Sequence, residues 1–246
     1  MKKVLSIVLA LALIIAVCAG CGAKTEDTTL KMGTNAAFPP YEYKEGDKFV
    51  GIDVEIADAI AKELGMTLEV VDMEFDSIIP AVQKGEVSFG MAGMTVTDER
   101  KLEVDFTSSY ATGVQVVIIP EGSDIASLDD LQGKKIGTQL GTTGDMYAKD
   151  DYGEESVTSY GKGADAVIAL KGGDVDAVII DNEPAKAFVA QNAGLKILDT
   201  EYAVEDYAIA VSKENKELLG KINAALEKLT ADGTVDSIIA KYIKAE

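Results

Sequence analysis

Histidine and tryptophan are absent from this chain of 246 residues, arginine occurs once and cysteine twice. Each scarcity removes a class of function. Without histidine, Ser-His-Asp and Cys-His catalysis is excluded. With no histidine and so little cysteine, a zinc or copper site of the usual kind lacks ligands, and no metal or cofactor is expected. Positive charge is scarce too: 23 basic residues stand against 42 acidic ones, for a net charge of −19. Such a chain repels nucleic acid and anionic lipid surfaces. No apolar run reaches the roughly 20 residues of a comfortable transmembrane helix.

What is there begins with an export signal. Lys2 and Lys3 precede an apolar run from Val4 to Val17 and then "CAGC". A basic start, a short apolar core and small residues before a cleavage point read as a signal peptide over residues 1–20. Ala19, Gly20 and Cys21 resemble a bacterial lipoprotein signal, in which the cysteine is acylated, although Cys18 stands where leucine is usual. Ordinary secretory cleavage nearby is the alternative. Acylation of Cys21 would tether the protein to the outer face of the cell membrane without embedding it. After cleavage Cys21 is the one cysteine left, so an internal disulfide is impossible and stability must come from the core. Residues 21–29 lack period and read as a flexible tether.

From Leu30 strand and helix patterns alternate with short connections, the signature of an α/β domain with a largely parallel sheet. "LKMGTN" reads as a strand running into a loop, "AAFPPYEY". Asp53 is placed to cap a helix carrying Ile56, Ala57, Ile60, Ala61 and Leu64 at helical spacing, closed by Gly65. "TLEVVDM" is the next strand. Asp76 then caps a short helix with Ile78, Ile79, Ala81 and Val82 inward, and "VSFGMAG" follows as a strand. "KKIGTQ", a glycine-rich loop, "ADAVIALKGG" and "VDAVIID" repeat the scheme. "IPAVQKGEVSFGMAG" and "VIALKGGDVDAVIID" share a helix, glycine stop and strand, suggesting two lobes built alike. "GVQVVIIP" and "DYAIAVS" are β-rich and suit two strands crossing between the lobes. This divides the chain into residues 30–112 with 207–246 as one lobe and 113–206 as the other. The stretch "KELLGKINAALEKLTADGTVDSIIAKYI" reads as helical, with Leu218, Ile222, Leu226 and Leu229 on one packing face.

Arg100, the sole arginine, follows the strand end "FGMAG" and the turn "MTVTDE". Ligands of open α/β sheets bind outside the carboxyl ends of strands. A guanidinium offers a rigid fork matched to a carboxylate. Gly93 allows close backbone approach and Thr95 carries a hydroxyl, so Gly93, Thr95 and Arg100 read as a carboxylate clamp. A surface arginine paired with Asp98, Glu99 or Glu103 is the bland alternative.

"GTNAAFPPYEY", "VGIDVEIADAIAKELG", "MEFDSIIPAVQKGEV", "AGMTVTDERKLEVDFTSSYATG" and "ADGTVDSIIAKY" occur in this order. Together, over residues 30–244, they resemble the polar amino-acid solute-binding proteins of ABC importers. The resemblance implies a type II periplasmic-binding-protein-like α/β fold, with two lobes closing over a free L-amino acid. It implies that Arg100 pairs with the ligand α-carboxylate, with Gly93 and Thr95 beside it. It also implies that Phe38 and Phe75 form aromatic walls, although either could be plain core. Thr142 and Thr143 at a helix N-terminus would hold the carboxylate from the second lobe, with Gln139 near the side chain. Asp181 would pair with the α-ammonium; otherwise it would cap the following helix. The implied partner is the importer's permease, and the implied state a monomer.

Binding proteins for cationic amino acids often carry an acid where this chain has Asn35. With Asn35 and Gln139 neutral, a neutral polar ligand is expected, glutamine first, while Glu42 nearby keeps a cationic one open. Two other readings are weaker. Dehydratases of arogenate or prephenate share the fold, and here Asp181 or Glu183 would be the general acid. A ligand-sensing domain is the third.

Overall fold

A computed structural model of the chain describes residues 28–244. The signal peptide, Cys21 and all but the end of the tether lie outside the described residues. Among the described residues, no helix is long and apolar enough to cross a membrane.

The first lobe opens with β1 (Thr29–Thr34) and a small antiparallel ribbon, β2 (Ala37–Phe38), β3 (Glu42–Glu45) and β4 (Lys48–Val50). It continues through α1 (Ile52–Glu63), β5 (Thr67–Asp72), α2 (Ile78–Lys84), β6 (Phe89–Gly90), α3 (Asp98–Glu103) and β7 (Val104–Phe106). The chain then enters the second lobe on β8 (Ala111–Pro120). There it forms β9 (Ile136–Gln139), α4 (Thr143–Tyr152), β10 (Val157–Tyr160), α5 (Gly163–Gly172), β11 (Ala177–Asp181), α6 (Asn182–Gln191) and β12 (Leu195–Ile197). It returns on β13 (Ala203–Tyr207) to β14 (Ala210–Ser212), α7 (Lys216–Ala231) and α8 (Thr234–Tyr242).

Each lobe holds its own sheet. The first has the order β5-β1-β6-β14-β7, with β1 parallel to both neighbours and β14 antiparallel to β6 and β7. The second has the order β10-β9-β11-β8-β12, with β13 also on β8. The two crossing strands pair antiparallel from Ala203 opposite Gln115 to Tyr207 opposite Ala111.

Helix α1 buries Ile52, Ile56, Ala57, Ile60 and Ala61 on one face. It stops because Gly65 takes a left-handed turn (φ 70°), letting its N–H reach Lys62 and that of Met66 reach the Ala61 carbonyl. Gly85 after α2 and Gly173 after α5 make the same stop, so the repeated sequence pattern corresponds to a repeated structure.

The structure corrects several local expectations. "AAFPPYEY" forms most of a hairpin and is not a plain loop. Asp53 does not cap α1: Gly51 occupies that position and Asp53 is buried in the first turn. Asp76 does not cap α2 either, since a short 3-10 turn over Phe75–Ser77 precedes it. "VSFGMAG" pairs only at Phe89–Gly90. "DYAIAVS" is split between β13 and β14, and the C-terminal helix breaks at Gly233, where φ is 81°.

Candidate binding site

Between the lobes lies a cavity with about 300 Å³ of space free of protein atoms, part of it open to solvent. All ten residues singled out from the sequence line it, joined by Glu42 and Ala92. Asn35, Phe38, Phe75, Gly93, Thr95 and Arg100 come from the first lobe. Gln139, Thr142, Thr143 and Asp181 come from the second, where β9 and β11 end.

Arg100 is only 7% exposed, which sets aside the surface-arginine reading. It sits on α3, whose N-cap Thr97 accepts from the Arg100 backbone N–H. Asp98 pairs with Lys101 instead. The guanidinium donates from Nη1 to the Thr95 carbonyl (2.6 Å) and from Nη2 across the cleft to the Gly141 carbonyl (3.0 Å). Its Cζ lies over the Phe75 ring, 5.3 Å from the ring centre. A guanidinium has five N–H groups, so the fork retains donors for a carboxylate. Burial pulls its pKa down, opposed by Glu205 and Asp181.

Gly93 is confined twice over. Its φ is +53°, and a Cβ there would meet the Phe38 ring at 3.1 Å. Its N–H donates to Asp53 Oδ2 at 2.8 Å, and Tyr110 donates to the same oxygen at 2.8 Å. Asp53 therefore holds the backbone of the clamp. Burial raises its pKa to about 6, partly offset by these two donors.

In the second lobe, Thr142 caps α4 by accepting from the Asp145 N–H, which points this helix N-terminus at the cavity. Asp181 occupies the N-cap position of α6 but makes no capping hydrogen bond. Its carboxylate accepts from the Tyr207 hydroxyl instead. That contact needs Gly113: a Cβ there would strike the Tyr207 phenol. Burial raises the Asp181 pKa to about 7; the Tyr207 bond opposes this and Glu205 adds to it.

The far end is different. Asn35 donates to the Met73 carbonyl (2.7 Å) and accepts from Gln139 Nε2 (3.1 Å). One hydrogen bond thus joins the two amides across the cleft. Glu42, also on the cavity wall, is 1% exposed; its oxygens accept from no N–H or hydroxyl among the described residues, and its carboxyl, when protonated, donates to the neighbouring Asp53 carboxylate. Burial and the neighbouring Asp53 push its pKa well up.

Glu42 was noted in the sequence but not singled out as a site residue, and Tyr207, Asp53 and Tyr110 carried no legible signal there. On β3 the burial falls from Glu42 to exposed Lys44 and Glu45, so nothing in "EYKE" announces a buried acid.

The arrangement can clamp a carboxylate, meet an ammonium at Asp181 and exclude water between two aromatic rings. Known proteins agree with this architecture. The model for bacterial extracellular solute-binding proteins, family 3, matches residues 30–245. An arginine-binding extracellular protein, ArtP, of Bacillus subtilis (strain 168) is 36% identical over 235 residues, covering 92% of this chain and 90% of that one. A solved ancestral arginine-binding protein bound to glutamine superposes with a TM-score of 0.84 at 45% identity, covering 89% of this chain and 99% of that one. The ancestral arginine-binding protein bound to arginine gives 0.83 at 46%, covering 88% and 98%. The fold is that of type II periplasmic binding proteins, whose relatives here are binders and not enzymes. The chain belongs to the bacterial extracellular solute-binding proteins, family 3.

Proposed function

We infer that the protein captures a free amino acid outside the cytoplasm by lobe closure and delivers it to an ABC importer. Arg100 and the α4 N-terminus take the α-carboxylate, and Asp181 takes the α-ammonium. The lipid anchor at Cys21 would keep the protein beside its permease, as a monomer. The dehydratase alternative finds no support in the relatives, which are solute-binding proteins.

The side chain of the ligand is decided at Glu42. The sequence put glutamine first because Asn35 and Gln139 are neutral. In the structure one bond of each amide goes to the other, whereas Glu42 and Asp53 form a buried carboxyl pair that no cation and no N–H reaches at Glu42 among the described residues. A cationic side chain reaching this pair would supply donors and a compensating charge to two carboxyls that burial and mutual repulsion keep from ionising together. This favours arginine, with glutamine as a weaker ligand whose amide can hydrogen-bond Glu42 in either protonation state but brings no charge. The names of the similar proteins, bound to arginine or glutamine, fit the same pair.

Calorimetry on the stripped protein tests this. Arginine should bind more tightly than glutamine. Glu42→Gln should weaken arginine by about ten- to hundredfold, as loss of a charged hydrogen bond costs about 1.5–3 kcal/mol, and leave glutamine nearly unchanged. Tighter binding of glutamine by the wild type would restore the neutral pocket. Binding of neither, nor of any other amino acid, would remove the functional reading itself.

A further inference from the structure

Glu205, whose charge acts on both Arg100 and Asp181, is itself a buried acid beside the cavity. Glu205 lies in the middle of β13, one of the crossing strands, opposite Gly113 of β8. It is 6% exposed although its neighbours Val204 and Asp206 face solvent. A single oxygen, Oε2, accepts hydrogen bonds from three side chains. They are Thr95 of the first lobe (3.1 Å), Thr143 at the start of α4 in the second (2.9 Å) and Gln115 of β8 (3.0 Å). The Thr95 and Thr143 hydroxyls are thereby brought to 3.5 Å from each other. The other oxygen, Oε1, is buried and accepts no bond of ordinary geometry among the described residues, while the Tyr147 hydroxyl of α4 also hydrogen-bonds this carboxylate.

The charged surroundings of this carboxylate explain how it can stay there. Arg100 is a cation that feels it, Asp181 is a neighbouring acid, and the Tyr147 phenol of α4, its pKa raised to about 12 by burial and by Glu205, stays protonated and donates to it. A buried carboxylate is tolerable when donors and a cation compensate it. Here donors come from both lobes and from the hinge itself. The full set therefore exists only while the lobes are together. Opening the cleft would strip Thr95 or Thr143 from Glu205 and leave the charge less well solvated by the protein.

We propose that Glu205 is a positioning residue, a hinge-borne latch that couples lobe closure to assembly of the Thr95–Thr143 carboxylate clamp. A hydroxyl that donates its proton to Glu205 cannot donate it to a ligand. Thr95 and Thr143 then act on the ligand carboxylate through their backbone N–H groups, held in place by the latch, and Arg100 supplies the charge. The latch rests on the amino-acid-binding reading for its purpose but not for its existence, because closure can be followed without ligand.

The test combines small-angle scattering with calorimetry, using arginine and glutamine as the probes, on Glu205→Ala, Glu205→Gln and Thr143→Val. In the ligand-free state, Glu205→Ala should raise the radius of gyration above the wild-type value, whereas a role in packing alone would change the melting temperature and not the lobe separation. For the ligand that the wild type binds, Glu205→Ala should weaken affinity about tenfold. Adding Thr143→Val to it should cost less than Thr143→Val costs alone, as expected for two members of one unit. Glu205→Gln, which keeps an acceptor oxygen, should fall between wild type and alanine. An unchanged ligand-free radius together with fully additive affinity losses would overturn the latch. A wild type that binds no amino acid would defeat the function above, while the ligand-free scattering would still decide the latch.

Discussion

At one end of the cavity, Arg100, Thr95, the α4 N-terminus and Asp181 offer donors and charge to the invariant part of any amino acid. Elsewhere on the wall Asn35 and Gln139 bond to each other, and Glu42 accepts from no N–H or hydroxyl among the described residues and lies against the Asp53 carboxyl. The first end is over-determined. Asp53 holds Gly93, Gly141 accepts from Arg100 across the cleft, and Tyr207 fixes Asp181. The second holds an acid that no cation meets among the described residues. Under the proposed function the difference separates two tasks: affinity for amino acids in general would come from preorganised, mutually supported groups, and choice among them from the buried Glu42 carboxyl. A specificity change at Glu42 therefore need not disturb the clamp.

The largest expected effect breaks the first end. Arg100→Ala removes the cation and leaves the ligand carboxylate buried without its charged partner, at about 3–5 kcal/mol by analogy with broken buried pairs. That corresponds to a loss of several hundredfold or more for arginine and glutamine alike, read by calorimetry. A loss confined to one ligand would show that Arg100 belongs to the side-chain end. Next comes Asp181→Asn, which keeps an acceptor for Tyr207 but removes the charge facing the ammonium. About fiftyfold weakening is expected, again equal for both ligands, from the 1.5–3 kcal/mol of a charge-assisted bond.

The contrast between the ends also marks what the sequence could show. Arg100 was legible because one guanidinium among lysines, five residues after a threonine at a strand end, leaves few alternatives. Asp181 was legible as a strand-end acid, and the missing capping bond frees it from the other role that position allows. Asp53 misled because an acid ahead of an apolar helical pattern reads as a cap. Its true partners, Gly93 and Tyr110, lie 40 and 57 residues away. Glu205 was hidden for the same reason: "AVEDY" carries two adjacent acids, and only the sheet register turns one inward. The lobes could be read from alternating periodicities, because those arise within each element. The breaks at Gly233 and between β13 and β14 depend on how the elements pack.

The smallest effect sharpens the comparison in the unmodified protein. Without ligand, Asp181 has its pKa raised to about 7, chiefly by burial. Pairing with an ammonium requires the ionised form, so binding must expel whatever proton Asp181 holds. The sign follows: affinity falls as pH drops below about 7, by at most about tenfold per unit for one such group. Glutamine needs only this one ionisation, because a protonated Glu42 can still donate to its amide. Arginine needs a second, since a guanidinium is met by ionised Glu42, whose pKa is pushed well up by burial and by Asp53. Lowering the pH from 7 to 6 should therefore weaken arginine more steeply than glutamine. Asp181→Asn should remove the slope the two ligands share, and Glu42→Gln the excess seen only for arginine. Parallel slopes for the two ligands would mean that Glu42 keeps one protonation state throughout and that the far end does not discriminate by charge.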